Sequence, residues 1–314
     1  VMTPLARMGA AIESQDNGLP PLSVRGGCAL QGIHYDLPMA SAQVKSCVLL
    51  AGLFASGRTS VTEPAPTRDH TERMLRGFGY SVENHNGVIG LEGGGTLQGA
   101  DIDIPADISS AAFFLVGASI AAGSDLLLQH VGMNPTRTGV VTILQLMGAD
   151  ITVLNEREVG GEPVADLRVR SAPLRGIDIP QEEVPLAIDE FPALFIAAAC
   201  AEGTTTLSGA EELRVKESDR IASMAAGLTT LGVDNKVLHD GIVIHGGEFG
   251  GGAVETFHDH RIAMSFAMAA LRARGPIEIL DCDHVATSFP GFAQLSAGVG
   301  LGLEVVPNEN PSTP

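Results

Sequence analysis

Leu144-Gln145-Leu146-Met147-Gly148-Ala149-Asp150-Ile151 reads as a helix that ends on a glycine and turns into a strand. Apolar residues at helical spacing stop at Gly148, where glycine accepts the left-handed C-cap conformation, and a polar-apolar alternation follows. The same junction recurs in Leu5-Ala-Arg-Met-Gly9-Ala-Ala-Ile, Met74-Leu-Arg-Gly-Phe-Gly79-Tyr-Ser-Val and Leu228-Thr-Thr-Leu-Gly232-Val-Asp. A degenerate fifth copy is expected at Leu295-Ser-Ala-Gly-Val-Gly-Leu-Gly302. The glycines lie 70, 69, 84 and 70 residues apart, so the chain is built from a repeat.

A second junction alternates with the first. Ser41 to Gly57, Ser109 to Gly123, Asp189 to Gly203 and Asp259 to Gly275 each open on a small or charged residue, run through an apolar stretch, and reach a glycine before a strand. These helices are apolar nearly all round, which predicts burial. The repeating unit is therefore buried helix, strand, amphipathic helix, strand, with short strands between. A Gly-rich break at Gly93-Gly-Gly-Thr-Leu-Gln-Gly-Ala-Asp101 is the expected hinge. It divides an incomplete first domain, 1–101, from a complete three-repeat domain, 102–306. Residue 1 enters mid-helix, so an N-terminal part is expected elsewhere. The polar, Pro-rich tail 307–314 is expected to be disordered.

Composition sets limits. Hydrophobic residues make up 45%, aromatics 4%, and tryptophan is absent, so the cores must be aliphatic and closely packed. No 18-residue apolar run exists to span a membrane. The formal net charge of −18 argues against nucleic acid and anionic membranes as partners. The four cysteines, Cys28, Cys47, Cys200 and Cys282, form no CxxC pair and are expected to be buried free thiols in a reducing cytoplasm.

Against this background one stretch is dense in charge: Leu213-Arg214-Val215-Lys216-Glu217-Ser218-Asp219-Arg220. It leads into a helix, where free N–H groups and the dipole favour an anion. An exposed, salt-bridged helix start is the plain alternative. Ser41-Ala42-Gln43 opens a buried helix, as a cap or as hydrogen-bonding groups for a ligand. Arg68 stands in the turn Pro64-Ala-Pro-Thr-Arg-Asp69, with Thr67 or Asp69 to cap the next helix. Arg137 in Asn134-Pro-Thr-Arg-Thr-Gly139 repeats that design without a matching cluster and reads as structural. Asp189 reads as an N-cap or a general base. His258-Asp259-His260-Arg261 lacks a third ligand for zinc, and no metal is expected. An Arg at a helix start makes sense if an anion lies beside it. Parallel helices from equivalent units should point their N-termini to one face, giving each domain a basic face for a polyanion across the hinge.

These residues resemble a known family. Leu37-Pro-Met-Ala-Ser41-Ala42-Gln43-Val-Lys45-Ser46, Pro64-Ala-Pro-Thr-Arg68-Asp-His-Thr-Glu72, Glu212-Leu-Arg-Val-Lys216-Glu217-Ser-Asp-Arg220 and Asp259-His260-Arg261-Ile-Ala-Met264 are similar, in order, to motifs of 5-enolpyruvylshikimate-3-phosphate (EPSP) synthases. The Ser-Ala-Gln and Ala286-Thr-Ser-Phe-Pro290 wording resembles its second class. The resemblance implies an α/β fold of two inside-out α/β barrel domains built from βαβαββ units. It implies transfer of the enolpyruvyl group of phosphoenolpyruvate to the 5-hydroxyl of shikimate-3-phosphate, with no cofactor. By matching position, Ser41, Ala42, Gln43, Arg68, Asp189 and Lys216 would contact shikimate-3-phosphate. Gln43, Arg220, His260 and Arg261 would contact phosphoenolpyruvate. Asp189, Glu217 and Lys216 would form the catalytic set, Asp189 as base and Glu217 as acid/base at the methylene carbon. The family's N-terminal segment is not matched, which implies little turnover by this chain alone, and a monomer when full length. Ser288 stands where some members carry Lys. The alternatives are a UDP-N-acetylglucosamine enolpyruvyl transferase, for which Cys28 is a superficial match, and a non-catalytic remnant or part of a multifunctional chain.

Overall fold

The glycine junctions fall where helix gives way to strand. The computed structural model describes residues 1–15 and 18–306, and the tail 307–314 lies outside the described residues. Gly148 has φ +96°, the left-handed turn that lets the chain leave a helix without a Cβ clash, and Gly9, Gly79 and Gly232 share its sign. The fifth copy differs. Gly300, with φ +99°, takes the cap position in place of Gly302, and no strand follows it among the described residues.

The chain divides into two compact units. One comprises Val1–Ile104 with Glu158–Pro163, the other Pro105–Arg157 and the residues from Val164 on. In the first, α1 (Met2–Arg7) precedes a hairpin, β1 (Ala11–Gln15) and β2 (Leu19–Arg25). Then β3 (His34–Asp36), α2 (Ala42–Gly52), β4 (Arg58–Thr62), α3 (His70–Gly77), β5 (Glu83–His85) and β6 (Val88–Glu92) make one βαβαββ copy. Its sheet has the order β3-β4-β6-β5, with β3 and β4 parallel across the α2 connection and the other pairs antiparallel.

The second unit begins with α4 (Ile108–Ile120), β7 (Asp125–Gly132), α5 (Gly139–Leu146) and the hairpin β8 (Asp150–Val159) and β9 (Glu162–Arg170). Next come α6 (Phe191–Cys200), β10 (Thr204–Leu207), α7 (Arg220–Thr230), β11 (Asn235–Val237) and β12 (Ile242–His245). Last are β13 (Gly252–Glu255), α8 (His260–Ala269), β14 (Ile277–Leu280), α9 (Val285–Ser288) and α10 (Phe292–Gly298). The sheets β7-β9-β8 and β10-β12-β11 repeat the order of β4-β6-β5. The leading strand of the first two copies shrinks to isolated parallel bridges, Ala106 with Val131, and Arg175 and Asp178 with Glu202 and Thr206. In the third, β13 and β14 pair in parallel, and no hairpin follows among the described residues.

Helices α4, α6 and α8 pack on one another and against β7, β12 and β14 respectively, so the helices form the centre and the sheets the wall. Every residue of α4 but Ser110, every residue of α6 but Cys200, and all of α8 after Arg261 is buried. The expected burial fails for α2, which buries only Lys45, Val48, Leu49 and Gly52 while Leu50 is exposed. The thiol expectation also needs correcting: Cys28 and Cys282 are exposed, Cys47 and Cys200 half-buried, and all four are free. Burial pushes the Cys200 thiol up to about 12.

Candidate active site

In the second unit the helix starts converge. Helix α6 begins two residues after Asp189, with Glu190 at the N-cap position, so Asp189 is not the cap its sequence suggested. Its carboxylate instead faces cations: Lys216 Nζ and Arg220 Nη1 each stand 3.4 Å from Asp189 Oδ1. Asp219 caps α7, accepting from the Ala222 N–H, and Arg220 is that helix's first residue. Arg214 ties the preceding turn in place through Asp219 at 2.7 Å and the carbonyls of Leu238 and His239. Lys216 also pairs with Glu212 one turn back.

Arg220 is 1% exposed, and three carboxylates surround it. Its Nε donates to Asp259 Oδ2 at 2.8 Å, Nη2 to Glu217 Oε2 at 2.5 Å, and Nη1 to Asp189. Asp259 is equally buried, caps α8 through the Arg261 N–H, and accepts from Ser218 Oγ at 3.1 Å. Burial works to raise the Asp259 carboxyl, but Arg220 and the two further hydrogen bonds outweigh it and hold it below the usual carboxylate range. Glu217 is the exposed member, its side chain 51% accessible. Arg261 Nη1 donates to the Asp189 carbonyl at 3.0 Å. Burial and then the neighbouring Arg261 push His260 below its ordinary value, against Asp259 and Glu217. His258 packs edge-on against His284, ring centroids 5.2 Å apart. Among the described residues no three His, Cys, Asp or Glu are arranged to hold a metal.

The structure thus brings Asp189, Lys216, Glu217, Arg220, His260 and Arg261 together at the starts of α6, α7 and α8. Asp259 and Glu190 belong to the same cluster and escaped the sequence reading, since each looked like an ordinary helix-start acid beside a named residue. A signal was present for Glu190: it is the charged residue that opens a helix otherwise apolar from Phe191 to Cys200. Arg137 is not isolated, as its sequence suggested; it reaches Asp107 at 3.3 Å and Glu190 at 3.8 Å.

The first unit holds the remaining residues except Ser288. Ser41 caps α2, accepting from Val44 N at 3.3 Å, and its hydroxyl reaches Gln43 Oε1 at 3.4 Å. Ala42 is the first residue of α2, and Gln43 is exposed at the next position. Arg68 stands half-buried in the loop before α3. Asp69 occupies the N-cap position of α3 but makes no side-chain cap, because both its oxygens take the Arg73 Nε at 2.8 and 2.9 Å. Beneath them Lys45 lies buried between Glu63 and Glu72. Ser288 is exposed at the end of α9.

Buried helices walled by sheets of one repeated order, with acids and bases gathered at the helix starts, define the class of enolpyruvyl transferase folds. Solved structures agree: an EPSP synthase from Acinetobacter baumannii superposes with a TM-score of 0.90 at 60% identity, covering 96% of this chain and 70% of that one. The family EPSP synthase (3-phosphoshikimate 1-carboxyvinyltransferase) matches residues 1–295, and the chain belongs to that family. The 3-phosphoshikimate 1-carboxyvinyltransferase of Alkalilimnicola ehrlichii is 69% identical over 304 residues, 96% of this chain and 68% of that protein. The enzyme of the same name from Methylococcus capsulatus is 65% identical over 305 residues, 97% of this chain and 70% of that protein. These relatives favour this family over the UDP-N-acetylglucosamine transferase alternative.

Proposed function

We propose that the chain serves the family's reaction, moving the enolpyruvyl group of phosphoenolpyruvate to the 5-hydroxyl of shikimate-3-phosphate and releasing phosphate. The observation that carries this is the convergence of Lys216, Arg220 and Arg261 on Asp189, with Glu217 paired to Arg220 beside them. Asp189 takes the proton of the 5-hydroxyl as its oxygen attacks C2 of phosphoenolpyruvate. Glu217 gives a proton to the methylene carbon, and the tetrahedral adduct forms. Glu217 then takes back a proton from the new methyl group as the C–O bond to phosphate breaks, and the proton held by Asp189 leaves with the phosphate. Lys216 neutralises charge beside Asp189. Arg220 and Arg261 offer planar forks to the carboxylate and phosphate of phosphoenolpyruvate, with His260 beside them. Glu217 is the exposed partner of Arg220, so it is the one that an incoming anion replaces. By family resemblance, Ser41, Ala42, Gln43 and Arg68 of the first unit are assigned to shikimate-3-phosphate, Gln43 also to phosphoenolpyruvate; in the second unit Asp189 and Lys216 are assigned to shikimate-3-phosphate. Positioning and fixed charges supply the rate.

Free thiols support a reducing cytoplasm. The full-length protein is proposed to be a monomer, and size-exclusion chromatography checks it. The functional test is thermal stabilisation by ligand. Shikimate-3-phosphate with phosphoenolpyruvate should raise the melting temperature, and Arg220→Ala should abolish the phosphoenolpyruvate part. Stabilisation by UDP-N-acetylglucosamine, or by none of these, overturns the reading.

A further inference from the structure

Glu190 has no part in that scheme, yet it is a deeply buried acid next to Asp189 in the chain. It is 2% exposed, at the start of a helix with no other charge. One oxygen, Oε1, gathers everything around it: the Ser109 hydroxyl from α4, Arg137 Nη2 at 3.8 Å, and Arg261 Nη1 at 4.0 Å. Arg137 has a second anchor in Asp107, 3.3 Å away. Arg261 has the Asp189 carbonyl at 3.0 Å. Two guanidinium groups therefore face one another across a single carboxylate oxygen.

Replacing a whole buried ion cluster by apolar groups is often neutral for stability, because ionised groups are costly to bury, whereas removing Glu190 alone would leave two guanidinium groups without the carboxylate between them. Burial does push the Glu190 carboxyl up, opposed by Ser109, Arg261 and Arg137 and reinforced by Asp189. What the carboxylate supplies is geometric. It lets two like charges approach, with one nitrogen of Arg261 near the same oxygen that Arg137 faces.

We infer that Glu190 is a positioning residue for Arg261, holding that guanidinium against Arg137 and the Asp189 carbonyl so that its free edge is set for the carboxylate or phosphate of phosphoenolpyruvate. This rests on the phosphoenolpyruvate role proposed above for Arg261. Without the negative charge, Arg137 stays on Asp107 and repels Arg261, which leaves the Asp189 carbonyl.

Glu190→Gln keeps size and the Ser109 hydrogen bond and removes only the charge. Two arms test it. In a ligand-free crystal structure of E190Q, Arg261 Nη1 should no longer lie within hydrogen-bond distance of the Asp189 carbonyl. Arg261 unmoved overturns the inference, whatever the binding data say. In calorimetric titration, phosphoenolpyruvate should bind E190Q about tenfold more weakly, within the range for directly coupled charged residues. Shikimate-3-phosphate affinity should stay within twofold, and the tenfold effect should vanish in an Arg261→Lys background. Equal weakening of both ligands, or additive effects of E190Q and R261K, marks a structural role and overturns the inference. Failure of the unaltered chain to bind phosphoenolpyruvate overturns the proposed function instead, and the crystallographic arm then decides the positioning role.

Discussion

Lys45 is 1% exposed, with Glu72 at 2.8 Å and Glu63 at 3.1 Å, and Glu72 Oε2 makes no hydrogen bond. Such a cluster is stable only with its cation. Lys45→Ala leaves two buried carboxylates uncompensated and should cost about 3–5 kcal/mol in urea unfolding, the usual result of removing one side of a buried pair. A loss under 1 kcal/mol would mean that water reaches the site. His260 gives a pH dependence instead. Its folded pKa is lowered, first by burial and then by Arg261, so the unfolded chain binds the proton more readily. Its contribution is complete above the unfolded value of about 6.5 and is lost as the pH falls through the lowered folded value. In His260→Gln the decline in urea midpoint below about pH 6.5 should be shallower; an unchanged slope refutes the assignment. The charged residues of the site were legible because they interrupt apolar sequence. Glu190 and Asp259 were not, because their roles depend on Ser109 and Arg220, which lie 81 and 39 residues away.

At the level of elements, the glycine-capped junctions could be read directly because a left-handed C-cap has a strong residue preference. The leading strands Ala106, Arg175 and Asp178 could not, since one-residue bridges have no period to detect. Nor could the half-exposure of α2, whose apolar sequence resembles that of α4, α6 and α8. Gly227 shows packing overriding propensity. It sits within α7, where Ala should gain about 1 kcal/mol from helix propensity alone. A Cβ there would fall 2.2 Å from Cζ of Phe266, a fully buried ring of α8. Gly227→Ala should therefore destabilise the protein by about 1–3 kcal/mol, as overpacking does. A rise in melting temperature would show that the Phe266 ring can move aside.

For the whole molecule, the repeat predicted more than any single motif did, because each copy restates the same order of helix and strand. It left the boundary between units to composition. The Gly-rich break was placed at 93–101, whereas the compact units part between Ile104 and Pro105, with residues 158–163 grouped with the first. Each unit has its own hydrophobic core, one centred on α4, α6 and α8 and a smaller one on Val48, Leu49, Val61 and Leu91. From Gly95 to Pro105 the chain forms no helix or strand, and Leu97, Ile102 and Ile104 are exposed. A segment with no ladder hydrogen bonds and accessible apolar residues is where a protease meets least resistance. We place the domain boundary there. Thermolysin at low ratio should cut first within residues 96–104, and mass spectrometry of the earliest fragments should find both new ends in that window. First cuts inside 42–92 would instead mean that the smaller core opens before the connection is cut, and that the boundary assigned from exposure is wrong.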